Sequence, residues 1–427
     1  MVPADRRAVV RALGAGLLAT TSGCAAVGEI GRRVRGYEHH RDAPVEEVVG
    51  PWPTAAADAA RTGAVDLPIP GRDADAREVT TIGRFVEAQP AVVGDRAFVG
   101  VDRREPPGAA DEGPEELGEE RGQGGPFSGL IGIDLGADDV RDAIEWRVPG
   151  GGPTSPYTPT VRGRVVYSET GDGVRAVDAA DGSRYWWTNA AEGAPVVDGE
   201  FCYTFGRETV VALDAVTGEV RWESGPLETV PQGLAVAGDA VVATTGAASD
   251  GGLYCFDAGD GTLRWSYDAL GESYAKAVLD GDHAYAVNTS GRLHAVSLVD
   301  GTRTWEYEVE APSYAQPAVA DAVYVTSSTG DTAAALDPAT GEVRWEESVG
   351  DGGMSPPAVG AESLVFSVGV PSGMELAVVD PESGDERWRW GVADDGLQTV
   401  QPVVAEETIY VVTELRNRVQ ASLYALG

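Results

Sequence analysis

The sequence predicts an all-β fold, an eight-bladed β-propeller of four-stranded antiparallel blades. Three observations carry this. A nine-residue unit, Asp-x-x-x-Gly-x-x-x-Trp, stands at Asp178–Trp186, Asp214–Trp222, Asp257–Trp265, Asp337–Trp345 and Asp380–Trp388. A copy with Ser in the Asp place runs Ser297–Trp305, and a copy with four extra residues runs Asp134–Trp146. The seven Trp residues lie 36 to 43 residues apart. A period of roughly 40 residues with short strands belongs to repeated four-stranded blades. Finally, eight strand-like openings face only seven Asp–Gly–Trp endings, so one blade must be completed from elsewhere.

Each unit reads as strand, tight turn, strand. Val210, Val211, Ala212 and Leu213 form an apolar run into Asp214. An Asp side chain accepts hydrogen bonds from backbone N–H groups just ahead of it and starts a turn. Gly218 supplies the positive φ of a short hairpin. Val220 and Trp222 then share one strand face, with Arg221 on the other. Recurrent β-branched residues and Gly, without a 3.6-residue apolar stripe, argue against helix.

The chain has 427 residues, and eight blades of about 40 residues need about 320. The rest is an N-terminal extension and one insertion. With 68 acidic residues against 32 basic, the net charge is −36, and Lys276 is the sole lysine. Such a surface repels nucleic acid and anionic lipid headgroups. It also repels itself unless salt screens it. The composition resembles that of haloarchaeal proteins, and stability at high salt is the expectation.

Residues 1–24 carry adjacent Arg6 and Arg7, a short apolar run and Thr-Ser-Gly-Cys ending at Cys24. This resembles a twin-arginine export signal joined to a lipobox, with Cys24 the lipidated residue; Asp5 departs from the usual Ser or Thr. The run is too short to span a bilayer, so membrane attachment is expected through the lipid alone. Residues 25–50 read as a flexible tether. At residue 51 blade material begins, with Trp52 ahead of Asp58, Thr62 and Gly63. This segment is expected to supply the fourth strand of the last blade, because closing a ring with both chain ends removes edge strands. Residues 102–129, acidic and rich in Gly and Pro, read as a disordered insertion in blade 1.

The Asp–Gly–Trp units, and the Trp-Pro opening followed by Thr-Gly, resemble the pyrroloquinoline quinone (PQQ) repeat of quinoprotein-type propellers. The resemblance covers residues 51–427. It implies that Trp146, Trp186, Trp222, Trp265, Trp305, Trp345, Trp388 and also Trp52 dock blade on blade, as structural rather than catalytic groups. The family contains quinone-dependent dehydrogenases and non-catalytic scaffolds, including BamB. Fold alone does not choose between them.

The chemistry-bearing residues favour the scaffold branch. The soluble alcohol-oxidising branch implies an adjacent-cysteine disulfide over PQQ and a bound Ca²⁺. This chain has only Cys24, Cys202 and Cys255, with the last two on apolar strands. His, Asp and Glu show no metal-ligand spacing. No catalytic, cofactor or metal residue is therefore assigned. Lys276, Tyr274, Tyr314 and Gln316 fall where innermost strands begin and are candidate contacts at the mouth of the axial channel. The expected protein is a monomeric, exported, lipid-anchored propeller on the outer face of the cytoplasmic membrane. It would bind a protein or an envelope component through one face. A PQQ-dependent dehydrogenase using the axial funnel is the alternative, and sugar or peptide binding is a third.

Overall fold

The computed structural model describes residues 36–44, 54, 56–58, 61–83, 89–101, 128–150, 158–246, 251–309, 315–371, 373–391, 397–399, 401–415 and 421–427. Among these every regular element is a strand. Eight small antiparallel sheets follow one another round a ring.

Blade 1 holds Ala91–Val93, Arg96–Val101, Gly129–Asp134 and Ile144–Pro149, and blade 2 holds Thr160–Arg162, Val165–Glu169, Val174–Asp178 and Arg184–Thr188. Blade 3 spans Val196–Asp198 to Val220–Glu223, blade 4 Pro231–Ala237 to Leu263–Tyr267, and blade 5 Val278–Leu279 to Arg303–Glu308. Blade 6 spans Ala318–Val319 to Val343–Ser348, and blade 7 Ala358–Val359 to Glu386–Trp390. Blade 8 combines Val403–Ala405, Thr408–Leu415 and Ala421–Leu426 with Ala76–Gly83. The first strand of every blade touches its counterparts in the blades before and after, so the innermost strands close a ring.

The core lies between blades rather than at one centre. Leu234, Val241 and Phe256 of blade 4, for example, pack on Tyr203, Ala212 and Trp222 of blade 3. Burying one side chain of this size stabilises by about 1.5–3 kcal/mol, and the contact recurs round the ring.

Closure comes from the N-terminal side of the chain, but further along than Trp52. Ala76–Gly83 pairs antiparallel with Ala421–Leu426, setting Ala76 opposite Leu426. Two register shifts in this pairing, at Glu78–Thr80 and Thr81–Gly83, let Val79, Thr80 and Ile82 all be buried while Glu78 faces outward. Trp52 itself lies outside the described residues, as do Arg6, Arg7, Cys24, Tyr314 and most of the insertion. Part of the expected tether is also ordered: Tyr37–His39 adds a fifth strand to blade 2 along Arg184–Thr188. Tyr37 Oη donates to the Thr217 carbonyl in blade 3 at 2.8 Å, and Arg41 meets Asp178 at 3.2 Å. An exposed outer edge accepts such a strand readily, and three residues are too few to show a sequence pattern.

Candidate functional site

Two constellations stand out. The first is the repeat unit, which proves to be an interlock between blades. Asp214 Oδ1 accepts from the amides of Val216 and Thr217 at 2.9 and 2.8 Å, and Asp337 and Asp380 make the same turns. The second carboxylate oxygen accepts from the arginine seven residues on: Arg221 to Asp214, Arg264 to Asp257, Arg344 to Asp337 and Arg387 to Asp380. A β-bulge at Arg221 lets it curl back over the turn. The arginine bond, with the turn amides, holds the Asp257, Asp337 and Asp380 carboxyls below the usual carboxylate range.

Each Trp reaches the next blade. Its indole N–H donates to the carbonyl just after the next turn's first residue: Trp146 to Ala179, Trp186 to Ala215, Trp222 to Ala258, Trp265 to Leu298, Trp305 to Pro338 and Trp345 to Pro381, all at 2.8–3.1 Å. The turn glycine of that next blade lies flat on the ring. A Cβ on Gly182, Gly218, Gly261, Gly301, Gly341 or Gly384 would come within 2.4–2.9 Å of the indole. Their φ values of +70° to +79° exclude most side chains as well. Trp388 is 9% exposed and packs into blade 8, which has no turn of this kind because its outer strand comes from Ala76–Gly83. At the eighth junction the closing strand supplies the donor: Arg77 reaches the Leu135 carbonyl, the residue after Asp134. Sequence reasoning missed Arg77, because nothing local marks it as standing in for a tryptophan.

The second constellation is the axis. The segment from Thr54 to Ile69 contacts innermost strands on opposite sides of the ring. Thr54 Oγ1 lies 2.7 Å from Thr160 Oγ1 of blade 2, and the Ala56 amide donates to Gln89 Oε1, just before blade 1, at 3.0 Å. Arg61 Nε donates to the Leu234 carbonyl of blade 4. The Thr62 carbonyl accepts from Val319 of blade 6 at 2.7 Å, and the Gly63 carbonyl accepts from Val359 of blade 7 at 2.8 Å. Only a segment on the axis reaches all five blades. Asp58, Thr62 and Gly63, read from sequence as part of a closing blade, therefore form an axial plug.

The plug is tight and polar. Ala56, Ala57 and Arg61 hold φ of +54°, +71° and +63°, a conformation that side chains rarely adopt. Asp58 accepts from the Thr62 amide and hydroxyl at 2.9 and 2.6 Å, and burial raises its carboxyl pKa. Arg61 is 2% exposed, and burial pulls its guanidinium down to about 10.

The channel candidates fall differently about this plug. Gln316 is buried and its Nε2 donates to the Arg61 carbonyl at 3.2 Å. Lys276 is half-buried, with its stem laid over Gly233, where a Cβ would stand 2.4 Å from Lys276 Cγ. Tyr274 is exposed and its hydroxyl donates to Glu272 at 2.9 Å. Arg61 and Lys276 thus flank Gly233 and Leu234, and sequence reasoning found only the second of them.

Burial, and then the charge of Arg61, lower the Lys276 pKa from 10.5 to about 7. The folded state therefore binds fewer protons than the unfolded chain between those values, and stability rises with pH across that window. Relative to Lys276→Met, the wild-type melting temperature is expected to climb from pH 7 to pH 9.5. Parallel melting profiles for the two proteins would contradict this.

Comparison with known proteins bears on the repeat and the fold. Residues 170–334 and 329–426 match the family model described as outer membrane protein assembly factor BamB, which takes in more than half of the chain. The crystal structure of BamB from Moraxella catarrhalis is 18% identical and superposes with a TM-score of 0.57, over 82% of this chain and 97% of that one. Quinohemoprotein alcohol dehydrogenase from Comamonas testosteroni is 13% identical, with a TM-score of 0.64 over 94% of this chain and 84% of that one. The computationally designed Ika8 protein is 11% identical, with a TM-score of 0.58 over 82% of this chain and 99% of that one. At these identities the structural likeness is one of fold. No curated protein matches the chain.

Proposed function

From the premise that the chain belongs to the BamB family of PQQ-repeat propellers, we propose that it is a non-enzymatic interaction scaffold of the cell envelope. On this reading Arg6 and Arg7 direct export, Cys24 carries a lipid anchor, and a monomeric propeller presents one face to a protein or envelope component. Its acidic surface suits high salt. The single observation that supports the scaffold most is the filled axis. A quinone-dependent dehydrogenase needs an axial funnel, and here Thr54 to Ile69 lies across it, hydrogen-bonded to the innermost strands. Among the described residues there, the polar groups do not suit Ca²⁺ either: Asp58 is turned to Thr62, and Arg61 and Lys276 are basic.

Antiparallel alternation puts the loops before innermost strands, with Tyr274, on the face opposite the Asp turns, with Val299. Both residues are exposed. A photocrosslinking residue at each position, activated on intact cells, tests the scaffold. One face should yield a single adduct of defined mass that unlabelled protein competes away. Absence of a competed adduct from either face would contradict the reading.

A further inference from the structure

We propose that Arg61 and Lys276 form a binding site for one compact anion, a halide ion or a carboxylate group. Arg61 is the better-defined half. Its Nε is committed to the Leu234 carbonyl, but its Nη1 is buried and has no hydrogen-bond partner among the described residues. A buried donor left without an acceptor costs about 1–3 kcal/mol, and more when it is charged. Natural cores keep few such groups without a compensating partner.

Charge points the same way. In a chain of net charge −36, the only lysine and a buried arginine converge beside Gly233 and Leu234. Asp58 does not neutralise Arg61 by contact, because its oxygens serve Thr62, and burial favours its uncharged form. Burial first, and then the charge of Arg61, depress the Lys276 pKa, so the two cations share a poorly solvated place. One anion between them would supply the acceptor that Arg61 Nη1 lacks and favour the charged form of Lys276. Lys276 is the less buried of the two, so the anion would approach past the lysine. A backbone placed by three residues of positive φ fixes Arg61 as a preformed half-site. The site stands whether or not the scaffold reading holds.

The test uses the full chain at constant ionic strength, with sodium isethionate, neither a halide nor a carboxylate, replaced stepwise by sodium bromide or by sodium acetate. Thermal shift is read for the wild type, Lys276→Gln and Arg61→Gln, and bromide is located by anomalous diffraction. The expected result is a saturable rise in wild-type melting temperature, with half-saturation at least tenfold weaker in Lys276→Gln. The expected bromide peak lies beside Arg61 Nη1. A response to bromide alone assigns a halide; an equal response to acetate assigns a carboxylate as well. If Arg61→Gln does not fold, Lys276→Gln and the bromide map still decide. No peak at Arg61, together with equal salt responses in wild type and Lys276→Gln, would overturn the site.

Discussion

Replacing Trp222 by Ala is expected to destabilise the propeller by about 3–5 kcal/mol, the range for a large aromatic removed from a core. The ring is 6% exposed, packs at 5.9 Å from Tyr203 and donates to Ala258 in the next blade. Its loss opens a cavity between two blades and leaves that carbonyl without its donor. Gly261→Ala should be severe for a linked reason. The new Cβ would stand 2.4 Å from Trp222 Cε3, at a φ of +73°. If the two residues interlock, the effects are not additive. With the indole gone, Gly261→Ala should cost only its backbone strain, about 1–3 kcal/mol. Denaturant midpoints of the two single variants and the double variant measure this, and simple additivity would contradict the interlock.

The second large effect concerns the axis. A chain beginning at residue 71 keeps the closing strand Ala76–Gly83 but lacks the plug. It loses the acceptors of Val319 and Val359 and the contacts of Val65, Leu67 and Ile69 with the core of blades 7, 8 and 1. Stability should fall by several kcal/mol, since each lost apolar side chain is worth about 1.5–3 kcal/mol. The shortened ring should also expose Lys276. As the sole lysine, it reports cleanly by mass spectrometry: acylation should be fast in the shortened chain and slow in the intact one. Equal rates would mean that residues 54–69 do not cover the axis. Gly63→Val gives a milder version, because a Cβ there would stand 3.0 Å from that of Ala318, at a φ of +66°.

The blades were legible because the repeat is local. Asp214, Gly218 and Trp222 lie within one hairpin, and their spacing alone implies turn and strand. The partner of each Trp was half legible: the glycine announced a turn, but only the ring geometry shows that the previous blade's indole needs the same missing side chain. Long-range placement was not legible. Asp58, Thr62 and Gly63 imitate a repeat turn, so they read as blade material, while the closing strand twenty residues on has a weak alternation broken by Thr80 and Thr81. Tyr37–His39 is too short to register. Arg61 gave no signal, because an arginine beside a Thr-Gly pair looks solvated until the ring closes round it.

The central claim is that the propeller axis is filled by the chain itself and is not a quinone funnel. The most direct measurement is a titration of the intact chain, in molar salt, with pyrroloquinoline quinone and Ca²⁺, read by absorbance and thermal shift. The expected result is no saturable binding and an unchanged melting temperature. Tight one-to-one binding with a raised melting temperature would contradict it, and would require Thr54 to Ile69 to leave the axis.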